Sequence, residues 1–388
     1  MPEIQLPQGD GSIDRFVLAE PRHFATAGPG QTLSRVALSA AHVVADPLAD
    51  ISPFSGCAVD LEATVKYREY LWDLGLGVAE VMDTAQRGMG LTWSAAQELM
   101  KASVAAAKAH PHGSIYCGVG TDHIQTAEPT LDMVRRAYDE QLAVVQGLGS
   151  RVIVMASRAL VTAAQTPDDY AAVYRHVLAQ ADAPVILHWL GDMFDPKLAG
   201  YWGTRDLESA MDACLAIIED NADRVEGIKI SLLDKDREIE MRRRLPEGVR
   251  MYTGDDFNYP ELIEGDDESH SEALLGIFDA IAPAASAGLL ALTNGDNTTY
   301  NDILGPTVPL SRELFRAPTQ FYKTGVVFMA WLNGHQDHFV MLGGQQSARS
   351  IVHLSRVFRM ASAAGLLRDP ELAAARMSSL LRQYGVTT

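Results

Sequence analysis

Residues 183–231 decide the fold. They run APVILHW (183–189), then DLESAMDACLAIIEDN (206–221), then VEGIKIS (225–231). The outer pieces are short, nearly continuous apolar runs rich in β-branched residues, as expected of strands buried on both faces of a parallel sheet. The middle piece is too long for a strand and repeats its apolar positions at helical spacing. Together they read as strand, crossover helix, parallel strand. The same rhythm continues outward. Apolar runs at 35–40, 78–82, 114–118, 152–156, 184–188, 227–231, 249–252 and 288–293 predict eight strands. Helices are expected between them at 61–74, 94–110, 129–148, 168–180, 206–221, 235–244 and 268–281. Gly75 and Gly77 mark the end of the first helix, and Ser94, three residues before Gln97, suggests a capping box for the second.

Eight βα units fit a closed (β/α)8 TIM barrel better than an open doubly wound sheet. Residues 1–34 mix Gly, Pro and charge without periodicity and read as an irregular lead-in, which leaves 35–308 for the barrel. Beyond it only helices are expected, at 309–333, 347–364 and 370–384, forming a C-terminal helical subdomain over 309–388.

Composition narrows the function classes. Asp and Glu number 50 against 32 Lys and Arg, a net charge of −18, and the one basic cluster, Arg242-Arg243-Arg244, reads as a solvated helix end. So negative a surface argues against nucleic-acid or anionic-membrane partners. Cys57, Cys117 and Cys214 are too few and scattered for a disulfide framework, which points to a reducing cytoplasm. MPEIQLPQGDGS lacks the basic and apolar regions of a signal peptide, and the apolar stretch 280–293 is broken by Pro283 and too short to span a bilayer.

Catalytic groups of such a barrel come from the C-terminal ends of its strands. The residues expected there are Ser39 and His42; Asp83, Thr84, Gln86 and Arg87; Thr121, Asp122 and His123; Ser157 and Arg158; His188; Lys229; Asp255, Asp256 and Asn258; and Asn294 with Asp296. Lys229 lies inside a short strand that should be buried. It reads either as a desolvated amine nucleophile or as a lysine at a frayed strand end pointing to water. His188 is a general acid/base, a metal ligand or a structural cap. His42, Asp122, His123, His188 and Asp255 form an alternative divalent-metal set, although no H-x-H or H-E-x-x-H spacing is present. Asp255-Asp256 reads equally as a pair of N-caps, and 333–338 as a loop. Gly118-Val119-Gly120 has too few glycines for a dinucleotide fingerprint.

These motifs resemble the dihydrodipicolinate synthase / N-acetylneuraminate lyase family of class I aldolases, and more narrowly a longer, divergent dihydrodipicolinate synthase-like branch of it. Gly227-Ile228-Lys229 matches the family's G-I-K strand, and Tyr252-Thr253-Gly254-Asp255-Asp256 its S-G-D-D segment. Gly118-Val119-Gly120 aligns with A-G-T-G, and Asp83-Thr84-Ala85-Gln86-Arg87 with the G-T-T-G-E turn, keeping only Thr84. Leu187-His188-Trp189 falls where the family has Y-N-V-P, so His188 replaces its tyrosine. The resemblance implies that Lys229 forms a Schiff base, that no cofactor is needed, and that the protein is a homodimer or homotetramer.

The expected activity is a Schiff-base aldolase or lyase acting on a small oxo or sugar-derived substrate. Lys229 and His188 would be catalytic, with Thr84, Gln86, Asp122, Asp255, Asn258 and His42 orienting the substrate. A divalent-metal sugar isomerase, epimerase or hydrolase on the same barrel is the first alternative. A catalytically inactive barrel that binds a metabolite is the second.

Overall fold

The computed structural model describes residues 1–386, so the last two positions of the expected C-terminal subdomain lie outside the described residues. Among the described residues ten strands occur in order: β1 (Glu3–Pro7), β2 (Ile13–Val17), β3 (Ala37–Ala40), β4 (Gly77–Glu80), β5 (Ile115–Val119), β6 (Arg151–Val154), β7 (Val185–Leu190), β8 (Val225–Ser231), β9 (Arg250–Thr253) and β10 (Glu272–Leu275). β3 to β10 pair in sequence order, all parallel, and β10 closes on β3 to complete the barrel.

Side-chain parity decides what faces the lumen, because successive residues of a strand point to opposite faces. In β8, Ile228 and Ile230 pack outward into the core shared with the helices. Gly227, Lys229 and Ser231 therefore alternate onto the lumen face. A separate inner core, including Leu38, Ala79, Tyr116, Ile153, Ile186 and Tyr252, fills the lower barrel. Gly227 makes room for it, since a Cβ there would stand 2.6 Å from the Arg250 carbonyl oxygen and 2.7 Å from Tyr252 Cε2. Gly227→Ala is accordingly expected to cost about 1–3 kcal/mol through overpacking. A shift of the urea midpoint at unchanged slope would register it, and an unshifted midpoint would refute the packing argument.

Seven of the eight expected barrel strands coincide with observed ones. The eighth does not. Residues 288–293 belong to the buried helix Ala282–Thr293, and the strand is β10, inside the span expected to be a helix at 268–281. An apolar run buried on every side has no periodicity to report, and 282–293 is Ala-rich with Pro283 in its first turn, both of which favour a helix. Asn294 and Asp296 are consequently helix caps rather than strand-end site groups, and Asp296 accepts from the Thr299 amide at 2.9 Å. The second expected helix begins at Trp93, and its N-cap is Thr92 rather than Ser94.

The expected irregular lead-in contains the β1–β2 hairpin, with Ile4 and Leu6 buried. Its registration against the C-terminal helices explains its order: Phe16 meets Phe358 edge-on at 6.3 Å, and the Ala19 amide donates to Ser362 Oγ at 2.9 Å. The expected helix 309–333 is two helices, Val308–Leu314 and Tyr322–Leu332. All eleven residues of the second are buried, so it is the central helix of the C-terminal region. It packs on the short helix Ile277–Ala280 that follows β10, and so lies over the barrel's C-terminal end. Among the described residues no helix is long and apolar enough to cross a membrane.

Candidate active site

A cavity of about 490 Å³ opens at the C-terminal end of the barrel. Asp83 after β4, Asp122 after β5, Arg158 after β6 and His188 of β7 all stand on its wall. Lys229 lies beside them in the lumen. Its strand register sets it between His188 and Tyr252, and it is 7% exposed. Lys229 itself is not on the cavity wall; its neighbours His188 and Asp83 are. The backbone closes tightly above it, since a Cβ on Gly254 would come within 2.7 Å of Lys229 Cε.

Burial lowers the pKa of the Lys229 amine below that of a free lysine, while the charges of Asp256 and Asp83 work the other way. Burial likewise raises the pKa of the Asp256 carboxyl, opposed by the Ile277 amide that donates to its Oδ1 at 2.8 Å and by Lys229. The two shifts favour the uncharged form of each group, the free amine and the protonated carboxyl. His188 is neutral, because burial and then the Lys229 charge push its pKa well below the usual histidine value. Its Nε2 meets Ser231 Oγ at 3.3 Å and its Nδ1 is buried without a partner.

Among the expected substrate-orienting residues, Asp122 stands on the cavity wall, fixed by Arg87 at 2.8 Å. The others are spent elsewhere. Asp255 accepts from the Phe257 and Asn258 amides at 2.8 and 3.0 Å, forming a turn, and Asn258 Nδ2 donates back to it at 2.9 Å. Gln86 donates to the carbonyls of Met89 and Leu342 and ties the barrel to the C-terminal region. His42 is fully buried against Asp279, with Nδ1 2.8 Å from Oδ2. Thr84 Oγ1 lies 2.8 Å from the Tyr322 hydroxyl. The alternative metal set is dispersed. His123 binds Gln141 at 2.8 Å and stacks on Trp93, away from His188 and Lys229. No three His, Cys, Asp or Glu among the described residues converge as metal ligands.

Sequence reading missed Tyr322 and Lys323, which the helix Tyr322–Leu332 brings close to Thr84 and Asp83, beside the cavity but not on its wall. Tyr322 stacks on Phe315 at 4.4 Å between centroids, and burial followed by the Asp83 charge keeps its hydroxyl protonated. Lys323 is 4% exposed, donates to the Gln320 carbonyl at 3.0 Å, and is lowered by burial to about 8. A signal existed, for a lysine near the start of an otherwise apolar helical run is as anomalous as one inside a strand.

A family model described as "Protein of unknown function (DUF993)" matches residues 4–386. The chain belongs to this family. No curated protein matches the sequence. Among solved structures, this DUF993 chain resembles the 4-hydroxy-tetrahydrodipicolinate synthase of Methylacidiphilum fumariolicum SolV, with TM-score 0.64 at 14% identity, covering 89% of this chain and 99% of that one. Dihydrodipicolinate synthase from Aquifex aeolicus superposes with TM-score 0.60 at 14% identity, covering 90% and 98%. A putative dihydrodipicolinate synthetase from Pseudomonas aeruginosa gives 0.60 at 17%, covering 83% and 99%. At these identities the likeness establishes a shared barrel fold.

Proposed function

We propose that the protein is a Schiff-base-forming lyase acting on a small oxo or sugar-derived substrate. The observation that carries this reading is the Lys229 amine, buried in the lumen at the catalytic end of the barrel and flanked by Asp256 and Asp83. The names of the barrel's structural neighbours support the same reaction class. The unprotonated amine attacks the substrate carbonyl, and loss of water leaves an iminium that draws electrons from the adjacent C–C bond. Asp256 takes the proton released by the amine. His188, neutral and with a free Nδ1, accepts or returns the proton of the cleaving fragment. The Tyr322 hydroxyl, held by Thr84, donates a proton to the departing water. This chemistry needs no metal or cofactor, and a cavity of about 490 Å³ accommodates a substrate larger than a three-carbon acid.

Borohydride reduction in the presence of pyruvate, dihydroxyacetone or glycolaldehyde tests the reading. A mass addition on the peptide bearing Lys229 is expected, and its absence with every probe sinks the proposal. Tyr322→Phe should still form that adduct, because Lys229 remains, but more slowly, and should lower kcat by roughly 10²–10⁴-fold, the range for loss of a positioned proton donor. Unchanged kcat in the variant would remove Tyr322 from the mechanism.

A further inference from the structure

A second cavity, of about 210 Å³, lies at the seam between the barrel and the C-terminal helices. It shares no wall residue with the cavity at the barrel mouth. We infer that it binds a small planar ring bearing one carboxylate.

Three rings form one wall. His335 packs 4.5 Å from Tyr70 and 5.0 Å from Tyr67, and the two tyrosines lie 5.6 Å apart. His335 is neutral, since burial and then the Arg368 charge lower its pKa to about 3, so these three rings are an uncharged π surface, and among the described residues Asp279 is the one acidic residue that also lines the cavity. The polar groups beneath it are already committed. Tyr67 donates to the Asp279 carbonyl at 2.7 Å, and the Asp279 carboxylate accepts from the amide and Nδ1 of His42. Two exposed arginines stand on the rim. Arg22 gives one N–H to the Asp302 carbonyl at 2.8 Å, and Arg368 gives its backbone amide to Asn333 Oδ1 at 3.1 Å. Among the described residues no carboxylate pairs with either guanidinium.

An aromatic wall below uncompensated guanidinium groups selects a flat molecule with a negative end. The rings stack on its face, and the arginine fork takes the carboxylate in bidentate fashion. The volume is below the roughly 300–1,000 Å³ of drug-sized sites, which limits the ligand to about one ring. Acetate, with no ring, or benzyl alcohol, with no charge, would use only half of the site.

Calorimetric titration of the full chain with benzoate, benzyl alcohol and acetate tests this assignment. Saturable binding of benzoate is expected, with the two half-ligands at least about tenfold weaker. Arg368→Gln and Tyr70→Leu should each weaken benzoate by about tenfold while keeping the wild-type circular dichroism spectrum. Lys229→Met should bind benzoate as the wild type does, which separates this site from any failure of the lyase reading. Lack of saturable benzoate binding, equal binding of a half-ligand, or wild-type affinity in both variants would overturn it.

Discussion

Replacing Lys229 with methionine is expected to lower kcat by on the order of 10⁴-fold or more, the scale seen when a covalent nucleophile is removed. Lys229→Arg should lose as much. It restores the positive charge but offers no amine that can condense with a carbonyl, so equal losses assign the effect to covalent chemistry rather than to charge. The stability of the methionine variant should hold steady or rise. An ammonium in the lumen costs free energy that an apolar side chain of similar length does not, and the nearby Asp256 carboxyl accepts protonation because burial has already raised its pKa. Falling activity at undiminished stability would mark Lys229 as retained for chemistry at the expense of packing. Adduct formation should also increase with pH through a range below that of an ordinary lysine, because burial lowers the amine's pKa and its uncharged form is the nucleophile. Turnover surviving in Lys229→Arg would exclude the Schiff base.

Arg68→Met is expected to destabilise the fold by about 3–5 kcal/mol. Arg68, on the helix Leu61–Asp73, and Glu80, the last residue of β4, are both fully buried and joined by two hydrogen bonds of 2.9 and 2.8 Å. Glu80 Oε1 also accepts from the Val81 amide at 3.0 Å, just before the turn that carries Asp83 and Thr84. Removing the arginine strands a carboxylate in the core. Arg68→Met with Glu80→Met removes both charges and should recover most of the loss. Burial alone would raise the pKa of Glu80, but the charge and hydrogen bonds of Arg68 outweigh it and leave the value below that of a free glutamate. The pair's contribution is therefore present above the ordinary glutamate range and lost as pH falls below it. Denaturant midpoints across pH would measure this. A single variant costing under about 1 kcal/mol, or a double variant no better than Arg68→Met, would show that the pair is not what anchors this turn.

Local pattern carried the reading wherever neighbours matter least. Strands buried on both faces show as unbroken apolar runs, and that alone located seven of the eight barrel strands. Lys229 stood out because an ammonium within such a run contradicts its surroundings, whatever packs against it. β10 escaped because Glu-Ala-Leu-Leu has weak strand preference and becomes a strand by filling the gap between β9 and β3. A closure of that kind is a property of the whole ring.

What the amino-acid sequence determined by itself was the βα alternation, hence the barrel, and the lysine its sixth strand carries. Tertiary structure decided which polar groups surround that lysine. Asp255 and Asp256 are adjacent and chemically identical, yet one closes a turn while the other faces Lys229. Tyr322 reaches Thr84 across 238 residues of chain. Hydrophobic periodicity is written in neighbouring residues, whereas a hydrogen bond is made by whichever groups the fold brings within about 3 Å.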